Sequence, residues 1–238
     1  MSYSVVTIGY KSLDNVKRAV DQASNSSLPP DEIIVIVNPY VYNDQTGPII
    51  DYVCSPRKDS RITGWALISQ NMGCAKGFNL GMSLSKSDYV VLLNDDCSVG
   101  PTTYEKMIKE FEKQDVGVVG VEAGGRPEYD PITAKGFLLA YRKKMIEEIG
   151  GYDEIASPLA CENELGYRAW ANGWSTVIAP GCDWFHIHDI SNNVKDRINY
   201  LGEEMSPEGE NPLIPKILPV LKQKWAKHNE VIQNNVIS

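Results

Sequence analysis

Asp88-Tyr89-Val90-Val91-Leu92-Leu93-Asn94-Asp95-Asp96 is an apolar run that passes directly into an amide and two carboxylates. A strand covered by helices on both sides is apolar on both faces, as Tyr89 to Leu93 is. Open parallel sheets bind ligands outside the carboxyl ends of their strands. Asn94, Asp95 and Asp96 therefore fall where such a sheet would do its chemistry.

Reading outward toward the N-terminus, short β-branched runs alternate with segments of helical period. Ser4 to Gly9 reads as a strand, and Ser12 as the cap of a helix over Leu13 to Ala23, where Leu13, Val16, Ala19, Val20 and Ala23 form one apolar stripe. Pro29-Pro30 ends that passage, and Ile33 to Val37 reads as a central strand. Tyr40 to Arg61 shows no sustained period and is expected to be an irregular connection. Gly64 to Ser69 is expected as a strand and Ala75 to Leu84 as a helix.

Beyond the acidic junction the sequence predicts a helix over Thr103 to Lys113, a strand over Val116 to Val121, and a loop over Gly124 to Pro131. A strand over Phe137 to Tyr141 and a helix over Asn163 to Ala171 follow. The fold class is α/β, a Rossmann-like mostly parallel central sheet flanked by helices. From Asn192 the alternation stops, giving a main domain over 1–191 and a helical C-terminal extension over 192–238. In that extension Lys216, Lys222, Lys224, Trp225 and Lys227 would form a basic helix, which either packs on the domain or touches a membrane surface.

The chain of 238 residues carries 23 Lys and Arg against 31 Asp and Glu, and its formal charge of −8 disfavours nucleic acid as a partner. No apolar run approaches the roughly 18 residues of a membrane span, and Met1 to Gly9 lacks the pattern of a secretion signal. The five cysteines, Cys54, Cys74, Cys97, Cys161 and Cys182, contain no Cys-x-x-Cys pair and are expected as free thiols in a cytoplasm.

Four features carry chemistry. Asp95 and Asp96 suit a hard divalent cation shared with a diphosphate, or else a turn or helix cap. The stretch Asn71, Gly73, Ala75, Lys76, Gly77, Asn79 and Gly81 places small residues where a helix start nears a ligand or another backbone. Glu162 and Glu164, at a helix start after Gly150-Gly151-Tyr152-Asp153-Glu154, are helix-dipole partners or a general base. His186 and His188 would point to one side of an extended segment, as metal ligands or as structural residues.

Taken in order and at their spacing, these segments resemble the inverting family-2 glycosyltransferases of the GT-A fold, particularly the rhamnosyltransferase-like branch that builds bacterial surface polysaccharides. The resemblance runs from Ser4 to Ser191 and adds Gly173-Trp174 and Pro180 to the residues above. It implies transfer of a sugar from a nucleoside-diphosphate donor to a saccharide or glycoconjugate hydroxyl, with Mn²⁺ or Mg²⁺. It implies Asp96 and His186 at the metal, Glu162 as catalytic base, and Asn94 and Asp95 near the ribose and donor sugar. Glu164 and Arg168 match the polar positions after the base. Gly73, Lys76, Gly77 and Asn79 belong to the donor-binding stretch.

By position, Tyr10 and Asn38 neighbour the nucleobase, and Asn38-Pro39-Tyr40 stands where the family usually has an Asp-containing turn. Trp170, Trp174 and Trp184 are candidates to stack on sugars or to pack in the core. Two other classes fit in part. A sugar nucleotidyltransferase would need a Gly-rich, Arg-containing loop after the first strand, which Gly9-Tyr10-Lys11-Ser12 does not supply. A noncatalytic nucleotide-sugar or carbohydrate-binding relative would bind the donor without releasing nucleoside diphosphate.

Overall fold

The computed structural model describes residues 1–10, 12–39, 46–54, 59–122, 136–154 and 161–186. The loop expected over Gly124 to Pro131, His188 and the C-terminal extension with its basic segment lie outside them. Strands β1 (Tyr3–Gly9), β2 (Glu32–Val37), β3 (Gly64–Leu67) and β4 (Tyr89–Asn94) alternate with helices α1 (Leu13–Ser24), α2 (Thr46–Cys54) and α3 (Gly73–Leu84). There follow β5 (Cys97–Val99), α4 (Thr103–Lys109) with a 3₁₀ turn over Glu110–Glu112, β6 (Val116–Val121), β7 (Leu138–Arg142) and α5 (Lys143–Ile149). Helix α6 (Cys161–Ala171), β8 (Ser175–Ala179) and β9 (Trp184–His186) complete the described elements.

Seven described strands form one sheet in the order β3-β2-β1-β4-β7-β6-β8. All pairs are parallel except those made by β7, which runs antiparallel to both β4 and β6. The expected mostly parallel α/β sheet is what the chain forms. Strand alternation divides the core by face. Val5, Val35 and Val91 pack with Val16 and Val20 of α1 and Ile49 and Val53 of α2. Their neighbours Val6, Ile34 and Leu92 pack with Phe78 and Met82 of α3 and Leu165 of α6.

Helix α2 corrects the expectation of an irregular connection from Tyr40 to Arg61. Pro48 lies in its first turn, where the missing N–H costs nothing, so Gly47-Pro48 opens a helix and does not interrupt one. Its apolar signal is only two residues deep, Ile49 and Val53, both fully buried one turn apart. Helix α5 and strands β5, β8 and β9 are also additions to the elements expected. Ser12 caps α1 as predicted, its hydroxyl accepting from Asn15 N at 3.3 Å. All five cysteines are free. Among the described residues no helix is long and apolar enough to cross a membrane.

The small residues of α3 let it lie directly on β1. A Cβ at Gly77 would stand 2.8 Å from Ile8 Cδ1, and one at Gly81 only 2.2 Å from Val6 Cγ1. Alanine at 81 would gain about 1 kcal/mol of helix propensity. Overpacking a closed core costs about 1 to 3 kcal/mol, and a contact this short with a fully buried strand side chain puts the balance on that side. Gly81→Ala is expected to lower the urea unfolding midpoint, and a raised midpoint would show that α3 has room to lift.

Candidate active site

The acidic turn follows β4, and its two carboxylates have separate surroundings. Asp95 is tied to the end of β1: its carboxylate accepts from Tyr10 N at 3.3 Å, and its carbonyl accepts from Arg18 Nη2 at 2.8 Å. Asp96 turns the other way, 39% exposed, and its Oδ1 lies 3.1 Å from His186 Nε2. Ninety residues of chain separate these two. The link is a two-stranded antiparallel ribbon in which β5 pairs with β9 and Cys97 sits opposite His186. The ribbon is extended by Gly100 N and the Thr103 hydroxyl, both donating to Asp183 O.

The imidazole of His186 stacks on Phe137, with centroids 4.8 Å apart and planes at 22°. Phe137 in turn meets Trp184 at 4.6 Å, and Trp184 Nε1 donates to Glu122 O at 3.0 Å. Asn94 N donates to Phe137 O at 2.9 Å, so the residue behind the histidine is bonded to the strand that ends in the acidic turn.

Asp96 and His186 supply one carboxylate and one imidazole. That donor set fits a divalent ion whose remaining positions are taken by water and substrate oxygens, and the nitrogen ligand suits Mn²⁺ better than Mg²⁺. Among the described residues no cluster of three or more ligating side chains occurs.

A second group of polar residues closes the ends of β1 and β2. Asn38, 4% exposed, donates through Nδ2 to Asn71 Oδ1 at 3.0 Å and accepts from Met72 N at 3.3 Å. Asn71 Oδ1 also accepts from Gly73 N, and Asn71 Nδ2 donates to the Tyr10 hydroxyl at 3.1 Å. Gly73 has φ 81°, a left-handed conformation that favours glycine at this helix start. Tyr10, Asn38, Asn71 and Gly73 thus form one network.

Glu162 opens α6 and extends to Gly136. A Cβ on Gly136 would lie 2.8 Å from the Glu162 carboxyl carbon and 2.9 Å from Oε1, so the carboxylate occupies the space a side chain would fill. Its Oε2 accepts from Cys161 Sγ at 3.4 Å. Gly136 directly precedes Phe137, which places Glu162 on the same short segment that backs His186. Nearby, Tyr141 and Tyr152 share a hydroxyl contact of 2.9 Å, and burial pushes both phenols well above their ordinary range. They stay neutral, so no second anion is added beside Glu162.

Glu164 is differently engaged. It is buried and makes a two-pronged ion pair with Arg168, at 3.0 Å to Nε and 2.6 Å to Nη2. Arg168 also donates to Ile149 O and Gly151 O, tying α6 to the end of α5. Asn79 holds the next residue along, donating to Tyr152 O at 2.9 Å and accepting from Tyr152 N at 2.8 Å. Lys76 pairs with Glu154 at 3.5 Å, and Gly77 faces Ile8. Trp170 is exposed, while Trp174 donates to Glu148 and packs at the core.

Arg18, Gly136 and Phe137 were not singled out in the sequence. Arg18 belongs to the polar side of an amphipathic helix, and nothing local marks it as reaching the acidic turn. Gly136 and Phe137 lead into β7, and their contacts with Glu162 and His186 are made across long stretches of chain.

The model of the family described as "Glycosyl transferase family 2" matches residues 4–152. No curated protein sequence matches significantly. Among solved structures, the mannosyltransferase PcManGT from Pyrobaculum calidifontis, in complex with GDP-Man and Mn²⁺, superposes with a TM-score of 0.65 at 16% identity, covering 96% of this chain and 75% of that one. S. aureus TarS gives 0.62 at 13% identity, over 94% of this chain and 39% of its own. A TarS fragment in complex with UDP gives 0.58 at 16% identity, over 77% and 60%.

The two glutamates of α6 are expected to separate in a stability measurement. Removing one partner of a buried ion pair costs about 3 kcal/mol, the lower end of the usual range because Arg168 keeps some exposure. Chemical denaturation should therefore show Glu164→Gln strongly destabilised and Glu162→Gln close to the parent. Equal effects would mean that both glutamates are structural.

Proposed function

The chain belongs to glycosyl transferase family 2 and is a glycosyltransferase, and we propose that it moves a hexosyl or deoxyhexosyl group from a nucleoside-diphosphate sugar to a hydroxyl of a saccharide or glycoconjugate, with inversion and with Mn²⁺ or Mg²⁺. The observation that carries this reading is the meeting of Asp96 and His186 at the carboxyl end of β4. Their donor set is open to a diphosphate, and the similar fold of PcManGT is recorded with both GDP-Man and Mn²⁺.

Glu162 is the base in this proposal. It accepts the proton of the acceptor hydroxyl as that oxygen attacks the anomeric carbon, while the bond from that carbon to the diphosphate oxygen breaks on the opposite face. A bound dication supplies positive charge against the departing diphosphate. Asp95, Asn94 and Trp184 belong to the donor-sugar side of the site. Tyr10, Asn38, Gly73 and Lys76 belong to the nucleoside side, while Gly77, packed on Ile8, and Asn79, bonded to Tyr152, support the helix that carries them. Asn38 already uses both ends of its carboxamide within the protein, so its part is to hold the helix start against which a base would lie. Glu164 and Arg168 support the α5–α6 junction on which Glu162 stands. The rhamnosyltransferase-like branch, a cytoplasmic setting and membrane contact through the C-terminal basic segment complete the proposal.

Two experiments test it. Screening GDP-mannose, UDP-glucose and dTDP-rhamnose for thermal stabilisation with Mn²⁺ identifies the donor, since a ligand of the native state raises the melting temperature. Asp96→Ala is expected to abolish the metal-dependent part of that shift while the unliganded melting temperature stays near the parent's. An unchanged shift, with and without chelator, would remove Asp96 from the metal site.

For the donor so found, Glu162→Gln is expected to reduce nucleoside-diphosphate release to acceptor by about 10² to 10⁴-fold, the usual contribution of a general base. Donor affinity should be unchanged. Near-normal turnover in this variant would assign the base elsewhere.

A further inference from the structure

Helix α1 holds the chain on both sides of Asp96 with two side chains one turn apart. Arg18 Nη2 donates to Asp95 O at 2.8 Å, and Gln22 Oε1 accepts from Val99 N at 3.2 Å. Residues four apart on a helix lie on one face, so both contacts come from a single polar stripe bordering the buried one of Val16, Ala19, Val20 and Ala23.

These contacts use the edge of β5 that β9 leaves open. Consecutive residues of a strand direct their backbone groups to opposite edges. Gly100 N donates to Asp183 O, directly before β9, and Val99 N accordingly points to α1. Strand β5 is therefore gripped by backbone on one edge and by the side chains of Arg18 and Gln22 on the other. Asp96 sits between the carbonyl that Arg18 binds and Cys97, the first residue of β5.

Arg18 is not placed as a residue kept for stability would be. Its Nε is buried without a hydrogen-bond partner among the described residues. Buried donors are nearly always paired, and an exception calls for a role that outweighs its cost.

We propose that Arg18 is a positioning residue for the metal ligand: its bond to Asp95 O, with that of Gln22 to Val99 N, fixes the peptide that carries Asp96 so that the carboxylate meets His186. The inference rests on Asp96 and His186 holding the dication. Groups hydrogen-bonded behind a metal ligand orient it, and losing one typically costs about 10- to 100-fold in metal affinity. The guanidinium has a second, opposing effect, because its charge repels a dication. Gln22 carries no charge, so its contribution is positional alone.

The test measures Mn²⁺ binding to the full chain, without donor or acceptor, from the loss of the free-ion electron paramagnetic resonance signal. Melting followed by circular dichroism confirms that each variant is folded. Arg18→Met is expected to weaken Mn²⁺ by about 10- to 100-fold. Arg18→Lys, which keeps the charge and can donate one bond to Asp95 O, should recover most of that loss. Gln22→Met should weaken Mn²⁺ by about 10-fold, the lower end of the same range. Parent-like or tighter binding in Arg18→Met overturns the proposal, and so does a loss that Arg18→Lys leaves unrecovered, which marks a packing effect. If Arg18→Met does not fold, Gln22→Met decides, and parent-like affinity there overturns the proposal. Failure of the metal reading itself appears separately, as Asp96→Ala binding Mn²⁺ like the parent.

Discussion

The three-rung pairing of β5 with β9 is the contact on which the site's geometry depends. Before it forms, Asp96 and His186 are ninety residues apart; once Cys97 is opposite His186 and Val99 opposite Trp184, their side chains lie at hydrogen-bond distance. So short a ribbon is weak alone. It is held at one end by Gly100 N and the Thr103 hydroxyl on Asp183 O, where glycine is needed because a Cβ would stand 2.7 Å from Asp183 Cβ. At the other end the stack of Phe137 with Trp184 and His186 packs the ribbon against the strand leading into β7. Aromatic burial thus supplies the stability that three backbone rungs do not.

That ribbon also explains why two neighbouring aspartates differ. A turn leaving β4 directs consecutive side chains to different sides, and each side here offers a different partner. Asp95 is met by the Tyr10 amide, and its carbonyl by the Arg18 guanidinium, which places positive charge beside two carboxylates that would otherwise repel one another. Asp96 is left facing His186 and solvent. One carboxylate orders the turn and its neighbour is available for chemistry.

How far the sequence could be read follows from the range of the forces involved. Strands such as Ile33 to Val37 and Tyr89 to Leu93 were visible because burial between two helix layers demands an unbroken apolar run, and the local capping of α1 by Ser12 was visible for a similar reason. Helix α2 was hidden because only Ile49 and Val53 are fully buried and Gly47-Pro48 resembles a break. Strand β9 was legible only as an extended segment, because it is three residues long and its pairing with β5 leaves no local trace. The acidic turn, the helix start near Asn71 and the carboxylates of α6 were all legible as polar groups at strand ends and helix starts. The contacts of Glu164 with Arg168 and of Asn79 with Tyr152 were not, since a polar residue's partner is chosen by tertiary packing and leaves no trace in local spacing.

Glu162 and Glu164 show how packing assigns roles within one helical turn. Two residues apart on a helix, side chains point about 200° from one another, given 3.6 residues per turn. Glu164 is thereby directed into the α5–α6 junction, where an arginine with two further carbonyl partners neutralises it. Glu162 is directed to Gly136, the one described residue beside it whose lack of a side chain opens the space its carboxylate fills. Glu162 accepts from the weak S–H donor of Cys161, and the neutral phenols of Tyr141 and Tyr152 lie nearby. The geometry therefore separates a glutamate held in a helix junction from one seated against Gly136, a glycine that no local pattern would have picked out.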